Sequence, residues 1–139
     1  MKKLRLAAAT TLVEVAREAR LRAYAPYSNF LVGAALLSKD GRIFTGCNVE
    51  NASYGGTICA ERTALVTAVA AGHRSFRRCV VVSDNPHPIT PCGYCRQFLA
   101  EFGLDLEVIA VGANGQRAAW TLRELLPQAF TGDDIVEGR

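Results

Sequence analysis

Residues 76–83 carry the run Cys79-Val80-Val81-Val82-Ser83, apolar at successive positions. Successive side chains of a strand point to opposite faces of its sheet, so this run leaves no face for water. It specifies a strand covered on both sides, which is the situation of a parallel strand between two layers of helix. The flanking segments supply such covers. Residues 58–71 are rich in Ala, with Leu65 among them, until Gly72 stops them, as expected of a buried helix. A shorter helix is expected from about Cys92 to Phe102, followed by a further strand at Leu106–Val111. Strands joined through helical crossovers imply a mainly parallel portion of sheet.

Before this unit lies a different pattern. Apolar positions Leu4, Ala8, Leu12, Val15, Ala16, Ala19 and Ala23 recur at intervals of three and four, while Glu14, Arg17, Glu18 and Arg22 share another face. That spacing predicts an amphipathic helix from Leu4 to about Tyr24, stopped near Ala25-Pro26. Asn29–Leu37 and Arg42–Val49 are apolar, β-branched or aromatic runs around Lys39-Asp40-Gly41, and Asp-Gly between two such runs signals a hairpin. The hairpin should add antiparallel edges to the sheet. Residues 51–57 have turn chemistry, Asp84–Pro91 is a Pro-rich loop, and Leu122–Leu126 should form a last helical turn before Pro127. The resulting class is α/β, with helices on both faces of a mixed sheet.

At 139 residues the chain is expected to form a single domain, 1–139. Its 16 Lys and Arg against 13 Asp and Glu leave a formal charge of +3, far from the dense basic field with which a nucleic-acid binder displaces counterions. The basic stretch His73-Arg74-Ser75-Phe76-Arg77-Arg78 reads as a solvated helix end. No segment approaches the roughly 18 apolar residues of a membrane span. Met1-Lys2-Lys3 before Leu6–Val13 hints at an export signal, but Arg5 and Glu14 confine the uncharged run and helical periodicity continues beyond it. The five cysteines are odd in number, and a chain of this length does not need disulfides. Reduced thiols or a metal in a cytoplasmic protein are the expectation.

The chemistry concentrates in Cys59-Ala60-Glu61-Arg62 and Pro91-Cys92-Gly93-Tyr94-Cys95, at the starts of the two central helices. Each has a matching entry, Thr57-Ile58-Cys59 and Thr90-Pro91-Cys92, in which Thr can cap the helix and Pro can take its first position. Helix N-termini favour negative charge and lower thiol pKa values, so three sulfurs there are disposed to be the thiolates that bind zinc. Three protein ligands leave a fourth position open, the mark of a catalytic rather than a structural zinc. Glu61 lies two residues after a ligand, about 200° around a helix from it, so spacing alone leaves its role open. In the first turn it would sit well to exchange protons at the metal. Arg62 and Arg96 directly follow Glu61 and Cys95 and would offset the excess negative charge of three thiolates.

These residues resemble the zinc-dependent cytidine deaminases, specifically the short, all-cysteine type. The resemblance runs through Tyr27-Ser28-Asn29-Phe30-Leu31-Val32-Gly33-Ala34-Ala35, Gly46-Cys47-Asn48-Val49-Glu50-Asn51-Ala52-Ser53-Tyr54-Gly55 and the two cysteine motifs. It continues in Ser83-Asp84, Arg96-Gln97 and Leu125-Leu126-Pro127-Gln128-Ala129-Phe130. It implies a three-layer α/β/α sandwich with a mixed five-stranded sheet, and hydrolytic deamination of cytidine and 2′-deoxycytidine in pyrimidine salvage. It implies one zinc per subunit on Cys59, Cys92 and Cys95, with Glu61 shuttling protons. Asn48 and Glu50 would hydrogen-bond the ribose, Phe30 would line the base pocket, and the Ala60 backbone would hold the pyrimidine. A homotetramer with shared sites is implied, Phe130 stacking on the base in a neighbouring subunit, with Ala52, Tyr54 and Gly55 contributing across an interface. Gly56 and Tyr94 depart from the family pattern, in which the first position is bulkier and the second commonly small.

Other readings of the same residues make different demands. A closed structural zinc site needs a fourth ligand from Cys47, Cys79 or His87. A thioredoxin-like pair at Cys92 and Cys95 leaves Cys59-Ala60-Glu61 without a task. Asn48 and Glu50 on spacing alone are an ordinary polar strand end, and Phe30 and Phe130 are by default packing aromatics. A deaminase of a cytosine-bearing antibiotic such as blasticidin S shares the metal core, but paired Asn48 and Glu50 with Arg62 favour a plain nucleoside. No basic groove with interleaved aromatics suggests a nucleic-acid substrate.

Overall fold

The computed structural model describes residues 2–136, with side chains from residue 11 onward. In chain order its elements are α1 (Lys2–Arg20), β1 (Val32–Ser38), β2 (Ile43–Cys47), a 3₁₀ turn (Tyr54–Gly56), α2 (Ala60–Ala70) and β3 (Phe76–Ser83). There follow α3 (Gly93–Ala100), β4 (Glu107–Val111), β5 (Arg117–Thr121), α4 (Leu122–Leu125) and α5 (Gly132–Val136). The five strands form one mixed sheet in the order β2-β1-β3-β4-β5. Only β3 and β4 run parallel; β1 pairs antiparallel with both β2 and β3, and β5 antiparallel with β4.

The apolar run at 79–83 is indeed the middle strand. Its side chains alternate between two cores, as a pleat requires. Cys79 and Val81 join Ala34, Leu36 and Val108 under α2 and α3, while Val80 and Val82 join Ala35, Leu37, Ile109 and Val111 under α1. Helix α1 contributes Leu12, Val13 and Ala16 to this second core. Three layers result, as expected. Each fully buried Val or Leu contributes about 1.5–3 kcal/mol relative to exposure, so the middle of the sheet anchors both helical layers.

Several expected boundaries move, each for a local reason. The first helix ends at Arg20 rather than Tyr24: the N–H groups of Leu21, Arg22 and Ala23 each bond the carbonyl three residues back, a tightening usual at helix ends. Tyr24 then pairs with Val49. Leu4 and Ala8 of the expected stripe, like the export-signal residues up to Thr10, lie outside the described side chains. The first strand begins at Val32 because Asn29 turns into the left-handed region at φ 57°, which Asn tolerates better than most residues. The hairpin forms at 39–41 with Gly41 at φ +93°, the left-handed position of a three-residue loop. Its strands occupy one edge and the adjoining place in the sheet, since β5 closes the other edge. Neither β5, with Ala118 and Ala119 near its centre, nor α5 is apparent in the residue pattern. Among the described residues no helix is long and apolar enough to cross a membrane.

Two glycines set how close the helices lie. A Cβ at Gly33 would fall 1.9 Å from the Ala16 carbonyl oxygen of α1, and one at Gly46 would fall 2.4 Å from the Ala64 nitrogen and 2.5 Å from the Ala60 oxygen. The first turns of α2 therefore rest directly on β2, which fixes where Cys59 and Glu61 stand.

Candidate active site

Helices α2 and α3 begin side by side, and in each the residue at the N-terminal boundary is a cysteine. Cys59 (φ −71°, ψ 156°) and Cys92 (φ −66°, ψ 166°) are extended and make no side-chain cap hydrogen bond. The expected caps, Thr57 and Thr90, do other work. The Thr57 hydroxyl accepts from the Asn51 N–H, and the Thr90 hydroxyl accepts from Arg96. Pro91 precedes the boundary cysteine instead of opening the helix.

The extended boundary turns the sulfurs toward one another. Cys59 Sγ lies 3.6 Å from Cys92 Sγ, which lies 3.7 Å from Cys95 Sγ. All three fall within 4.8 Å of one another, the one such group of possible metal ligands among the described residues. Zinc–sulfur bonds of about 2.3 Å in a tetrahedron require sulfurs roughly 3.8 Å apart, so both the donor set and its spacing fit zinc. Cys47, Cys79 and His87 do not join this group. Cys79 is fully buried in the core, and His87 Nδ1 pairs with Gln116 Oε1 at 3.2 Å.

Because Cys59 is the boundary residue and not part of the helix, the 200° separation expected for Glu61 does not apply. Only 4% of Glu61 is exposed, at the second position of α2. Burial pushes its pKa up to about 7, with the negative Cys59 sulfur adding to the rise. Cys59 is drawn down to about 5, chiefly by the hydrogen bond from the Cys95 thiol and further by Arg62. Cys95, donating that bond from a buried position, is pushed upward.

The two arginines part company. Arg62 Nη2 donates to the Thr57 carbonyl at 3.1 Å and to Cys59 Sγ at 3.6 Å, beside the sulfurs as expected. Arg96 bonds the Pro91 and Leu125 carbonyls and the Thr90 hydroxyl, none of them a sulfur. Its guanidinium joins the entry of α3 to the end of α4, and the charge-offsetting place falls to Arg62.

A cleft of about 260 Å³ is lined by Tyr27, Ser28, Glu50, Tyr54 and Thr57, the last of which stands two positions before Cys59. Glu50 accepts from the N–H groups of Tyr27 (2.9 Å) and Ser28 (3.2 Å) and from the Ser28 hydroxyl. The Ser28 hydroxyl is the main reason its carboxyl lies below the usual range. Asn48, 8% exposed, accepts from the Val32 N–H at 2.9 Å and donates to the Phe30 carbonyl at 2.8 Å. Its amide still has a proton and a lone pair free by count. Phe30 is half-buried; Ala52 and Gly55 are exposed. Tyr54 is 74% and Phe130 58% exposed, and the Phe130 carbonyl accepts from Gln97 Nε2. Buried Ala60 opens α2 between Cys59 and Glu61. Sequence reasoning does not single out Tyr27, Ser28 and Thr57 as lining residues. The polar turn at 27–29 between a helix end and a strand is the signal that points to the first two.

Comparison with known proteins agrees with this geometry. Residues 7–112 match the model of the cytidine and deoxycytidylate deaminase zinc-binding region. The cytidine deaminase of Sporosarcina psychrophila is 47% identical over 125 residues, covering 89% of this chain and 92% of that protein. That of Halalkalibacterium halodurans is 50% identical over 125 residues, covering 89% and 95%. The crystal structure of cytidine deaminase from Burkholderia pseudomallei superimposes with a TM-score of 0.85 at 52% identity, over 87% of this chain and 98% of that one. With the family model matched over most of the chain and relatives about half identical in sequence and alike in fold, the chain belongs to the cytidine and deoxycytidylate deaminase family.

Proposed function

We propose that this chain, as one domain over residues 1–139, hydrolyses cytidine and 2′-deoxycytidine to uridine and 2′-deoxyuridine with release of ammonia, in pyrimidine salvage. The observation that carries the reading is the nearly buried Glu61, with its pKa near 7, against three sulfurs spaced for one zinc. Cys59, Cys92 and Cys95 would hold a single zinc per subunit. When bound, zinc supplies a water activated for nucleophilic attack near neutral pH. A carboxyl with a pKa near the working pH is populated in both forms, so Glu61 can act twice: it can accept one proton from the attacking water and deliver it to N3 of the base, then accept the water's second proton and deliver it to the departing amine. Burial keeps bulk water from competing for that proton. The Ala60 backbone would hold the pyrimidine, and Phe30 would line its pocket.

Glu50, held ionised by three hydrogen bonds, and the free amide capacity of Asn48 suit ribose hydroxyls. Exposed Phe130, Tyr54, Gly55 and Ala52 support a site completed by a neighbouring subunit. An open apolar groove of about 560 Å³ between α2 and α3, with Val66, Tyr94 and Phe98 exposed along it, supports burial between copies in a homotetramer. Thiols that must remain reduced to bind metal suit the cytoplasm. The test is direct: purified protein is incubated with cytidine, deoxycytidine, cytosine and blasticidin S, and ammonia release and zinc content are measured in the same sample. Ammonia from the two nucleosides with one zinc per chain supports the reading; ammonia from blasticidin S alone overturns the substrate, and active zinc-free protein overturns the metal.

A further inference from the structure

Tyr94 stands between two of the sulfur-bearing residues, in the first turn of α3, and is 77% exposed. A tyrosine so exposed contributes little to the packing of its own chain. Its ring, however, lies 5.6 Å from the guanidinium carbon of Arg62, which sits over its face, inside the range of cation–π attraction. Arg62 belongs to the first turn of α2, so the pair links the starts of the two helices that carry the sulfurs.

The guanidinium is held at its edge and at its face by different groups. One nitrogen, Nη2, donates both to the Thr57 carbonyl and to Cys59 Sγ. Nε is buried and has no partner among the described residues. Without a ring on its face, a guanidinium anchored through a single nitrogen can swing about that nitrogen. A planar group covered by an aromatic face has fewer orientations and keeps its donor aimed.

We infer that Tyr94 is a positioning residue: its ring holds the Arg62 guanidinium against Cys59 Sγ and the Thr57 carbonyl, and so slows loss of the metal from the sulfur trio. This rests on the zinc reading proposed above. The ring acts through its face and not through its hydroxyl, and it acts through Arg62 and not through bulk.

Three zinc-loaded variants test it by release of zinc to a chromogenic chelator. Tyr94→Phe keeps the face and should release zinc at the rate of the unsubstituted protein. Tyr94→Leu keeps an apolar side chain without a π face and should release it about two- to fivefold faster, the range set by an exposed cation–π contact. Combined with Arg62→Gln, Tyr94→Leu should add nothing further. Equal rates for the Leu variant and the unsubstituted protein, or an undiminished Leu effect in the Arg62→Gln background, would overturn the inference. An unsubstituted protein that carries no zinc overturns the zinc reading itself, and with it this one; the two failures differ because the second is visible before any substitution.

Discussion

The two halves of the candidate site are built in opposite ways. The sulfur half is gathered from two helix starts, seated on β2 through Gly46, and closed around a carboxyl that is 4% exposed. The half that would take the nucleoside is an open cleft lined by Glu50, Ser28 and the largely exposed Tyr54. One chain is enough to assemble the reactive centre, where an error of an ångström is costly. The surfaces that would grip the nucleoside are left facing outward, where another copy can complete them.

The sharpest way to probe the closed half is Glu61→Gln. Turnover of cytidine should fall roughly 10²- to 10⁴-fold, the usual contribution of positioned proton transfer, with zinc still bound in equal stoichiometry. Full activity in that variant would remove Glu61 from the mechanism. The open half answers to Phe130→Ala. If base stacking there contributes about 1–3 kcal/mol, cytidine should bind roughly 5- to 150-fold more weakly. Mixed subunits of Glu61→Gln and Phe130→Ala should then turn over cytidine faster at low concentration than the two variants measured apart, because one intact acid and one intact ring can meet at a single site. Absence of such a gain after subunit exchange would confine Phe130 to its own chain.

A third measurement separates the halves by pH. The folded pKa of Glu61, about 7, is above its ordinary value of 4.5, so the folded chain binds this proton more tightly than the unfolded one. Its contribution to stability is present below pH 4.5 and is lost as pH rises to about 7. In metal-stripped protein, thermal melting of Glu61→Gln should therefore gain on the unsubstituted chain across that window and hold its lead above it. A constant difference would mean that the carboxyl is not desolvated. The smallest effect is expected from Gly56→Ala. The nearest atoms to a Cβ there belong to Asn51 at 3.7 Å, an ordinary contact, so stability should change by less than about 0.5 kcal/mol. A larger loss would show that this turn requires a glycine at position 56.

Much of the architecture is legible in the sequence because burial on two faces leaves an unambiguous mark. Val80-Val81-Val82 announces the middle strand, and the Ala-rich stretch before Gly72 announces the helix beneath it. Edge and terminal elements carry no such mark. Arg117-Ala118-Ala119-Trp120-Thr121 is half exposed, and its strand state comes from pairing with β4 rather than from its own preferences. The cysteine motifs point to their chemistry, but Thr57 and Thr90 mislead as caps: spacing cannot tell which residue of a polar entry will occupy the boundary. Arg96 misleads for a related reason, since adjacency in sequence says nothing of the carbonyls that a long side chain finds. Ser28 escapes notice because its part is to hold Glu50 still, a service that no spacing announces.

The sulfur of Cys59 and that of Cys92 are 33 positions apart, and they meet only when the chain between them has run down α2 and back through β3. A nascent polypeptide that has not yet delivered residue 92 lacks two of its three ligands. If these sulfurs hold zinc as proposed, the complete ligand set exists only once the chain has passed residue 95.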